Sequence, residues 1–349
     1  MDGKVNCMTP ILIITLCRYE HLVNCIESLQ KNALAKETEL YIGLDYPSKE
    51  SHWPGYRKIE EYLEKGIDGF KCVHVMKHTH NLGPTENYRA VRSAIFEKFD
   101  GYIYTEDDNV FSPNYLEYMN ICMEKYRDDR EVLAVSGYMY PIEIPDSGAN
   151  VIRISTYCSA FGYGIFKRED DVLDKNINLE TFLRMYRDKK MMKKLRKASP
   201  NQYCNFVKGM VEYTPDIMKE GKVRSVDLTW GLYAFFNGYK IVFPTISKVR
   251  NNGYDGSGVN CLAQSDVKAK GSCYRDYDFA GQRIDEEKHF HLCCTCEQGE
   301  TEVNRALSDF FKIPRRELLM TELTYRFSLI IGVKRMTKLI RILRRGNCS

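Results

Sequence analysis

Three consecutive carboxylates, Glu106-Asp107-Asp108, directly follow an apolar segment at residues 101–105. Adjacent carboxylates repel one another, and a fold tolerates them more easily when a cation neutralises their charge. Hard cations such as Mg²⁺ and Mn²⁺ take one or two protein carboxylates and complete their shell with phosphate oxygens and water. The triplet therefore indicates a metal-assisted site for a diphosphate, or alternatively a solvated acidic turn before a helix expected near Pro113.

The elements that would position these carboxylates alternate between strand and helix signals. Apolar runs without alternation are typical of strands buried on both faces of a parallel sheet. Helical spacing of apolar residues fills residues 22–29 and 87–99 between such runs. The pattern predicts βαβ units and an α/β fold with a mostly parallel sheet. The predicted strands are 11–15, 39–45, 72–76, 101–105 and 132–136.

Ligands of such sheets bind beyond the carboxyl ends of the strands, so the residues just after each strand are the ones to inspect. Arg18 follows the first predicted strand, Asp45 ends the second, and the carboxylate triplet follows the fourth. Further along the chain, residues 251–258 are rich in Gly, Asn and Asp, which predicts a tight loop that exposes its backbone.

Seven short segments at or after these elements are Thr15-Leu16-Cys17-Arg18, Asp45 and residues 81–87, 104–109, 159–164, 227–230 and 252–258. Their order and spacing resemble the GT-A glycosyltransferases, in particular the family 2 bacterial sugar transferases, over roughly residues 8 to 262. The triplet is similar to the Glu-Asp-Asp form of the Asp-x-Asp motif in N-acetylglucosaminyltransferases. The resemblance implies a Rossmann-like nucleotide-diphospho-sugar transferase fold, with a mixed, mostly parallel sheet flanked by helices and a C-terminal helical extension.

The resemblance also implies roles for individual residues. Asp45 is expected to accept a hydrogen bond from a uracil ring, and Asp108 to coordinate a Mn²⁺ or Mg²⁺ that bridges the diphosphate. Tyr163 and Trp230 are expected to contact the acceptor or the sugar. The other expected contacts of the nucleotide-sugar are Thr15, Arg18, Asn81, Gly83, Glu106 and Asp107.

The candidate general base is Asp227. Family 2 enzymes invert the anomeric centre by direct displacement, which needs one carboxylate near the acceptor hydroxyl to take its proton. Asp227 stands three residues before Trp230, a spacing found in similar sugar transferases. Alternatively, Asp227 caps the helix that contains Trp230. Two residues depart from the family pattern, because Cys17 and Asn260 stand where many relatives have Asn and His.

The resemblance implies a hexosyl- or N-acetylhexosaminyl-transferase. It would move a sugar from a nucleotide-sugar, expected to be UDP-linked, to a glycan hydroxyl in surface polysaccharide or lipopolysaccharide synthesis. One alternative is a catalytically silent GT-A-like scaffold that binds glycan or nucleotide. A nucleotidyltransferase is a second, but a Gly-rich, Lys-bearing phosphate loop is expected there, and residues 16–19 do not form one.

The net charge of +4 hides a strong asymmetry. Residues 312–345 carry ten basic and two acidic side chains, residues 184–197 carry eight and one, and the rest of the chain carries −11. The small total gives no reason to expect a nucleic-acid partner. Scattered cysteines and the lack of a long apolar run predict a cytoplasmic protein.

The basic C-terminal tail has apolar residues at helical spacing, at Leu319, Leu323, Phe327 and Ile330. A basic amphipathic helix suits an anionic membrane surface, which would place the protein peripherally on the inner face of the cell membrane. Alternatively, the helix docks on the catalytic domain by its apolar stripe. For the second half of the tail the membrane is favoured.

We expect four parts in the chain. A GT-A catalytic domain would span residues 1–262, with a nucleotide-sugar half at 1–110 and an acceptor half at 111–262. A C-terminal extension at 263–311 and a basic amphipathic helical tail at 312–349 would follow. In the extension, residues 289–296 hold five potential zinc ligands in eight positions without a second motif, and alternation on a strand explains them as well.

Overall fold

A computed structural model describes residues 8–144, 148–212, 226–258, 279, 281–293, 295–296 and 300–346. Its strands are β1 (Ile11–Thr15), β2 (Glu39–Leu44), β3 (Cys72–Lys77), β4 (Gly101–Glu106), β5 (Asn109–Phe111), β6 (Val132–Ser136), β7 (Val151–Ile154), β8 (Tyr163–Phe166), β9 (Lys240–Pro244), β10 (Val249–Asn251) and β11 (Thr295–Cys296). Its helices are α1 (Tyr19–Gln30), α2 (Trp53–Glu64), α3 (Gly83–Ile95), α4 (Tyr115–Tyr126), α5 (Lys167–Asn176), α6 (Leu179–Arg187), α7 (Lys189–Ala198), α8 (Pro200–Glu212), α9 (Val226–Asn237), α10 (Glu300–Phe310), α11 (Arg315–Ile331) and α12 (Val333–Gly346).

Nine strands form one mixed sheet in the order β11-β7-β9-β6-β8-β4-β1-β2-β3. The half from β4 to β3 is parallel throughout, as the sequence predicted. The antiparallel strand β8 separates β4 from β6. Strands β5 and β10 pair antiparallel in a second, small sheet. The predicted α/β fold class, a mostly parallel sheet flanked by helices, is confirmed.

The chain runs from β1 to β2 and β3 on one side and then returns to place β4 on the other side of β1. Such a reversal of strand order opens a crevice at the carboxyl ends of the two strands on either side of it. Strands β1 and β4 are in register, with Ile14 opposite Glu106. The segments that follow both strands therefore emerge side by side.

Two apolar clusters hold the described residues together. The main core packs the sheet between helices and includes the fully buried face of α1, namely Leu22, Cys25, Ile26 and Leu29. Val303 and Leu307 of α10 also lie in it, so part of the predicted extension contributes to this core. The second cluster joins α6, α7 and α8 to Tyr325 of α11 and Met336 of α12.

Several element boundaries differ from the prediction. Helix α3 begins at Gly83 and ends at Ile95, four residues before the predicted range at each end. The basic stretch 184–197, predicted as one helical segment, is divided between α6 and α7 at Asp188, whose carboxylate accepts the backbone N–H of Met191. Among the helices of the described residues, none combines the length and the apolarity that crossing a bilayer requires.

Candidate active site

The segments after β1 and β4 bring one arginine and two aspartates into contact. Arg18 donates from Nη1 to Oδ2 of Asp108 at 2.7 Å and from Nη2 to Oδ1 of Asp107. Thr15, the last residue of β1, donates from its hydroxyl to Oδ2 of Asp107 at 2.7 Å. The carboxylate triplet is thus partly neutralised within the protein, by a residue almost ninety positions earlier in the chain.

Burial sets the electrostatics of this cluster. Asp107 and Asp108 are 3% and 2% exposed, so the alternative of a solvated acidic turn does not hold for these two residues. Burial raises the pKa of Asp107, and the nearby guanidinium of Arg18 opposes that rise. Burial would lower the pKa of Arg18, but the two carboxylates outweigh it and raise that pKa above its usual value. One guanidinium against two carboxylates leaves the cluster with a net negative charge.

The 251–253 segment holds Asp108 from the opposite side. Asn251, at the end of β10, donates from Nδ2 to Oδ1 of Asp108 at 2.8 Å, and the backbone N–H of Asn252 donates to the carbonyl of Asp108. A Cβ added to Gly253 would lie 2.1 Å from Oδ2 of Asp108, so only glycine allows this approach. The predicted loop therefore forms a wall of the carboxylate cluster.

Glu106 differs from its two neighbours because it is partly exposed and its carboxylate makes no hydrogen bond or ion pair with the described residues. Burial, Asp108 and Asp107 raise the pKa of Glu106 to about 8. The charge of Asp227 adds to that rise, although the two residues are 121 positions apart in the chain.

Asp227 lies in the first turn of α9 and is also partly exposed. Its Oδ1 accepts the backbone N–H of Ala160 at 2.6 Å, which ties α9 to the segment before β8. Burial raises the pKa of Asp227 to about 6, and the hydrogen bond from Ala160 opposes the rise. A carboxylate with such a pKa is ionised at neutral pH and remains a useful acceptor for a proton.

Asp45 lies at the end of β2 and is fully engaged by the start of α3. Its two oxygens accept the backbone N–H groups of Leu82 and Gly83, each at 2.8 Å, and that of Tyr46 at 2.9 Å. Asn81 adds a fourth bond from Nδ2 at 3.2 Å. Asp45 thus holds the start of α3 against the end of β2. Its contact with a uracil ring stays a prediction.

Gly83 begins α3 with φ +74, a backbone conformation that glycine adopts without a steric penalty. Its backbone N–H is taken by Asp45, and a side chain at this position would have open space around it. Asn81 is exposed beside it and also donates to the carbonyl of Tyr46 at 2.6 Å. These two residues lie beyond β2 and β3, on the same edge of the sheet as Arg18.

Tyr163 and Trp230 are in contact, with ring centroids 4.8 Å apart in an edge-to-face arrangement. Tyr104 of β4 packs on Tyr163 at 5.0 Å. Tyr163 and Trp230 are both buried and belong to the main core. Their predicted contact with a sugar or an acceptor is not tested by this packing.

One contact near the cluster was absent from the sequence prediction. Nε2 of His21, in the first turn of α1, lies 2.9 Å from Oδ2 of Asp255, and Oγ of Ser257 lies 3.3 Å from the same nitrogen. Burial raises the pKa of Asp255, but the hydrogen bonds from Ser257 and the contact with His21 outweigh it and lower that pKa to about 2. The contact fastens residues 254–257 to the helix that begins after Arg18.

The donor set can be compared with what a divalent cation requires. Within the described ranges, no three His, Cys, Asp or Glu side chains gather around one point. Mg²⁺ and Mn²⁺ in diphosphate sites take only one or two protein carboxylates and draw their remaining oxygens from phosphate and water. Asp108 suits that arrangement because it lies inside a buried cluster of net negative charge. A cation bound there would share the Asp108 carboxylate with Arg18. Asn260 lies outside the described residues.

The histidines and cysteines of the extension do not form a metal centre in the described part of it. His289 contacts Glu117 through Nδ1 at 3.0 Å, and Sγ of Cys293 lies 3.6 Å from the carbonyl of His291. Cys294 and the side chain of Cys296 lie outside the described residues, so zinc binding at this segment remains untested.

Comparison with known proteins gives similarity in structure only. No family model matches the sequence, and no curated protein matches it. Solved structures are similar at low identity. The crystal structure of S. aureus TarS has 10% identity and a TM-score of 0.39, over 88% of this chain and 44% of that one. This chain thus spans less than half the length of that protein.

Two further solved structures are similar. The crystal structure of S. aureus TarS 1-349 has 9% identity and a TM-score of 0.42, over 97% of this chain and 91% of that chain. The mannosyltransferase PcManGT from Pyrobaculum calidifontis, in complex with GDP-Man and Mn²⁺, has 9% identity and a TM-score of 0.37, over 98% and 81%. The similar structures thus include a glycosyltransferase. About one residue in ten is shared with each of these proteins.

Proposed function

We propose that this protein is an inverting glycosyltransferase that moves a sugar from a nucleotide-sugar to a glycan hydroxyl. The observation that carries the proposal is that two kinds of carboxylate, buried and partly exposed, occur together where the strand order reverses. Asp107 and Asp108 are buried against Arg18, while Glu106 and Asp227 are partly exposed and interact electrostatically with each other. The buried cluster suits a diphosphate and its counter-ion, and the exposed carboxylates suit the hydroxyl chemistry.

In the proposed reaction, the acceptor oxygen bonds to the anomeric carbon of the donor while the bond from that carbon to the diphosphate breaks. The acceptor proton passes to the carboxylate of Asp227, and the nucleotide diphosphate leaves with the bonding electron pair. The pKa of about 6 leaves Asp227 ionised before the reaction at neutral pH. The leaving group gains negative charge, and cationic groups near it are the main source of rate in such a transfer.

A divalent cation, Mn²⁺ or Mg²⁺, would be held by Asp108 and would stabilise the departing diphosphate when bound. Arg18 lies against the same carboxylate and is held in place by Asp107 as well. Thr15 fixes the second oxygen of Asp107 and so orients the pair. We further propose a UDP-linked donor, with Asn81 and Gly83 beside its nucleotide, and a lipid-linked glycan acceptor in surface polysaccharide synthesis.

The decisive experiment measures release of nucleoside diphosphate from a panel of nucleotide-sugars, with and without Mn²⁺. Turnover with at least one donor that is lost in Asp227→Asn and in Asp108→Ala supports the enzyme. Asn205→Ala, an exposed change on α8 away from the site, is the control and should keep full activity. Tight binding of nucleotide or glycan without turnover of any donor would instead favour a silent binding scaffold.

A further inference from the structure

Helix α11 presents an apolar stripe to solvent. We define the C-terminal apolar stripe as Leu319, Leu323, Phe327 and Ile330, which recur at helical spacing and are 60%, 60%, 46% and 80% exposed. Met320 beside them is 57% exposed. A helix docked on a globular protein ordinarily buries such a stripe, so its outward orientation needs an explanation.

The opposite face of α11 packs on the second apolar cluster and is also held to the protein by hydrogen bonds. The hydroxyls of Tyr186 and Ser328 lie 2.7 Å apart, and the hydroxyl of Tyr325 donates to the carbonyl of Tyr186 at 3.1 Å. Glu322 accepts the hydroxyl of Tyr203 at 2.8 Å. These contacts fix the rotation of α11, so the exposure of the stripe follows from specific bonds on the inward side.

Helix α12 also exposes apolar side chains to solvent. Leu339, Ile342 and Leu343 are 37%, 68% and 61% exposed, while Met336 and Thr337 are buried against the second cluster. Apart from Val75 and Ile246, all strongly exposed large apolar side chains of the described residues lie on α11 and α12. The exposed apolar surface is therefore concentrated on the C-terminal tail.

The charge of the tail indicates what could cover this surface. Residues 312–345 carry ten basic and two acidic side chains, and both acidic ones are paired, Glu317 with Lys208 and Glu322 with Arg326. Exposed basic side chains of α12 accompany its exposed apolar ones, at Lys334, Arg335, Lys338 and Arg341. A second copy on this face would set these basic side chains against their own like charges, because a two-fold interface pairs each patch with itself.

We propose that α11 and α12 form a docking surface for a bilayer rich in anionic lipid. The apolar stripe would enter the boundary between headgroups and acyl chains, and the basic side chains would contact lipid phosphates. Such a surface would bring the candidate site to a lipid-linked acceptor. The link to the acceptor rests on the proposed function, whereas the membrane contact itself does not.

The test is sedimentation of the full chain with vesicles of phosphatidylcholine, with and without phosphatidylglycerol, in the absence of donor and acceptor. Binding is expected only to the anionic vesicles and should be largely lost at about 1 M salt, where charges are screened beyond about 3 Å. Lys334→Gln with Lys338→Gln should weaken binding about 30-fold, since each basic residue at such a surface contributes a factor of about five.

Leu323→Ser with Phe327→Ser should weaken vesicle binding about tenfold or more, because less apolar area leaves water. The matched controls are Val75→Ser with Ile246→Ser for exposed apolar residues, and Lys31→Gln with Lys36→Gln for exposed charges. Both controls should bind like the unaltered protein.

Several results would overturn the proposal. One is that the protein does not bind anionic vesicles, and another is that the stripe and charge variants bind them as well as the unaltered protein. A third is that the protein forms a dimer through the stripe and does not bind vesicles. Because no sugar transfer is measured, none of these results bears on the glycosyltransferase proposal, and a failure of sugar transfer leaves vesicle binding intact.

Discussion

The guanidinium of Arg18 lies 2.7 Å from Oδ2 of Asp108 and, through its other terminal nitrogen, contacts Asp107. A residue after the first strand thereby supplies the cation that the carboxylates after the fourth strand require. Three independent elements meet at this point, since Asn251 of β10 bonds to the other oxygen of Asp108. The pair defines where a diphosphate and its counter-ion would meet the protein.

Replacing Arg18 with a neutral residue should destabilise the folded state. Arg18→Met leaves two buried carboxylates without an opposing charge, and breaking a buried ion pair in this way costs about 3–5 kcal/mol. We expect the variant to unfold at a lower temperature in the presence of a chelator. Because a divalent cation can take the place of the lost charge, Mn²⁺ should stabilise the variant more than it stabilises the unaltered protein.

Arg92 provides the matched control, because its partner at 2.8 Å is the buried Asp170 and not the carboxylate triplet. Arg92→Met should lower the unfolding temperature without a gain from Mn²⁺. Equal stabilisation of both variants by Mn²⁺ would contradict a cation site at Asp108.

Asp227→Asn should remove sugar transfer and, at the same time, stabilise the fold. The folded state raises the pKa of Asp227 from 3.8 to about 6, so above that pH the ionised carboxylate costs the folded state free energy. An amide carbonyl still accepts the N–H of Ala160 but carries no charge. We expect the free energy of unfolding to rise by about 1–3 kcal/mol near neutral pH.

This gain should fade as the pH falls toward 3.8, where the carboxyl group becomes protonated in the folded and unfolded states alike. Denaturant unfolding at several pH values measures it. A loss of stability in Asp227→Asn at neutral pH would point instead to a purely structural bond with Ala160.

The sequence predicted β1, β2 and β4 well because these strands are buried on both faces and read as nearly continuous apolar runs. Strands β1 and β6 begin and end where they were predicted. The rule that ligands lie beyond strand ends then placed Arg18 and the carboxylate triplet at one edge of the sheet. What carried the prediction was local pattern combined with a general property of parallel sheets.

The pairing of Arg18 with the carboxylates was beyond such reasoning. Local sequence shows that adjacent carboxylates need a cation, but it does not show whether an ion or a distant side chain provides it. Helix α11 illustrates the same limit, because its apolar periodicity is plain while its rotation depends on hydroxyl contacts with Tyr186. Long-range polar contacts decided both cases.

The pH dependence of turnover should report Asp227. As a general base it must be ionised, so kcat/KM should fall about tenfold per pH unit below its pKa of about 6 and level off above it. Initial rates at saturating Mn²⁺ and limiting acceptor, between about pH 5 and about pH 8, measure the profile. A rate that stays constant across the acid range would remove Asp227 from the role of base.

Gly253→Ala should disturb the carboxylate cluster directly, because the added Cβ would lie 2.1 Å from Oδ2 of Asp108. Either the loop or the carboxylate has to move, and each movement breaks the contact of Asp108 with Asn251 or Arg18. We expect at least a tenfold loss of kcat/KM, since small misplacements of binding groups cost rate of that order.

Gly209→Ala on α8 is the counterpart, because its new Cβ would meet only a side-chain atom of Leu228 at 3.8 Å. It should keep activity and gain up to about 1 kcal/mol of stability, as alanine favours a helix more than glycine does. Steady-state kinetics and thermal unfolding of both variants, with and without Mn²⁺, separate the two outcomes. Full activity of Gly253→Ala would mean that the position of the Asp108 carboxylate does not limit sugar transfer, and the metal role proposed for that residue would then fall.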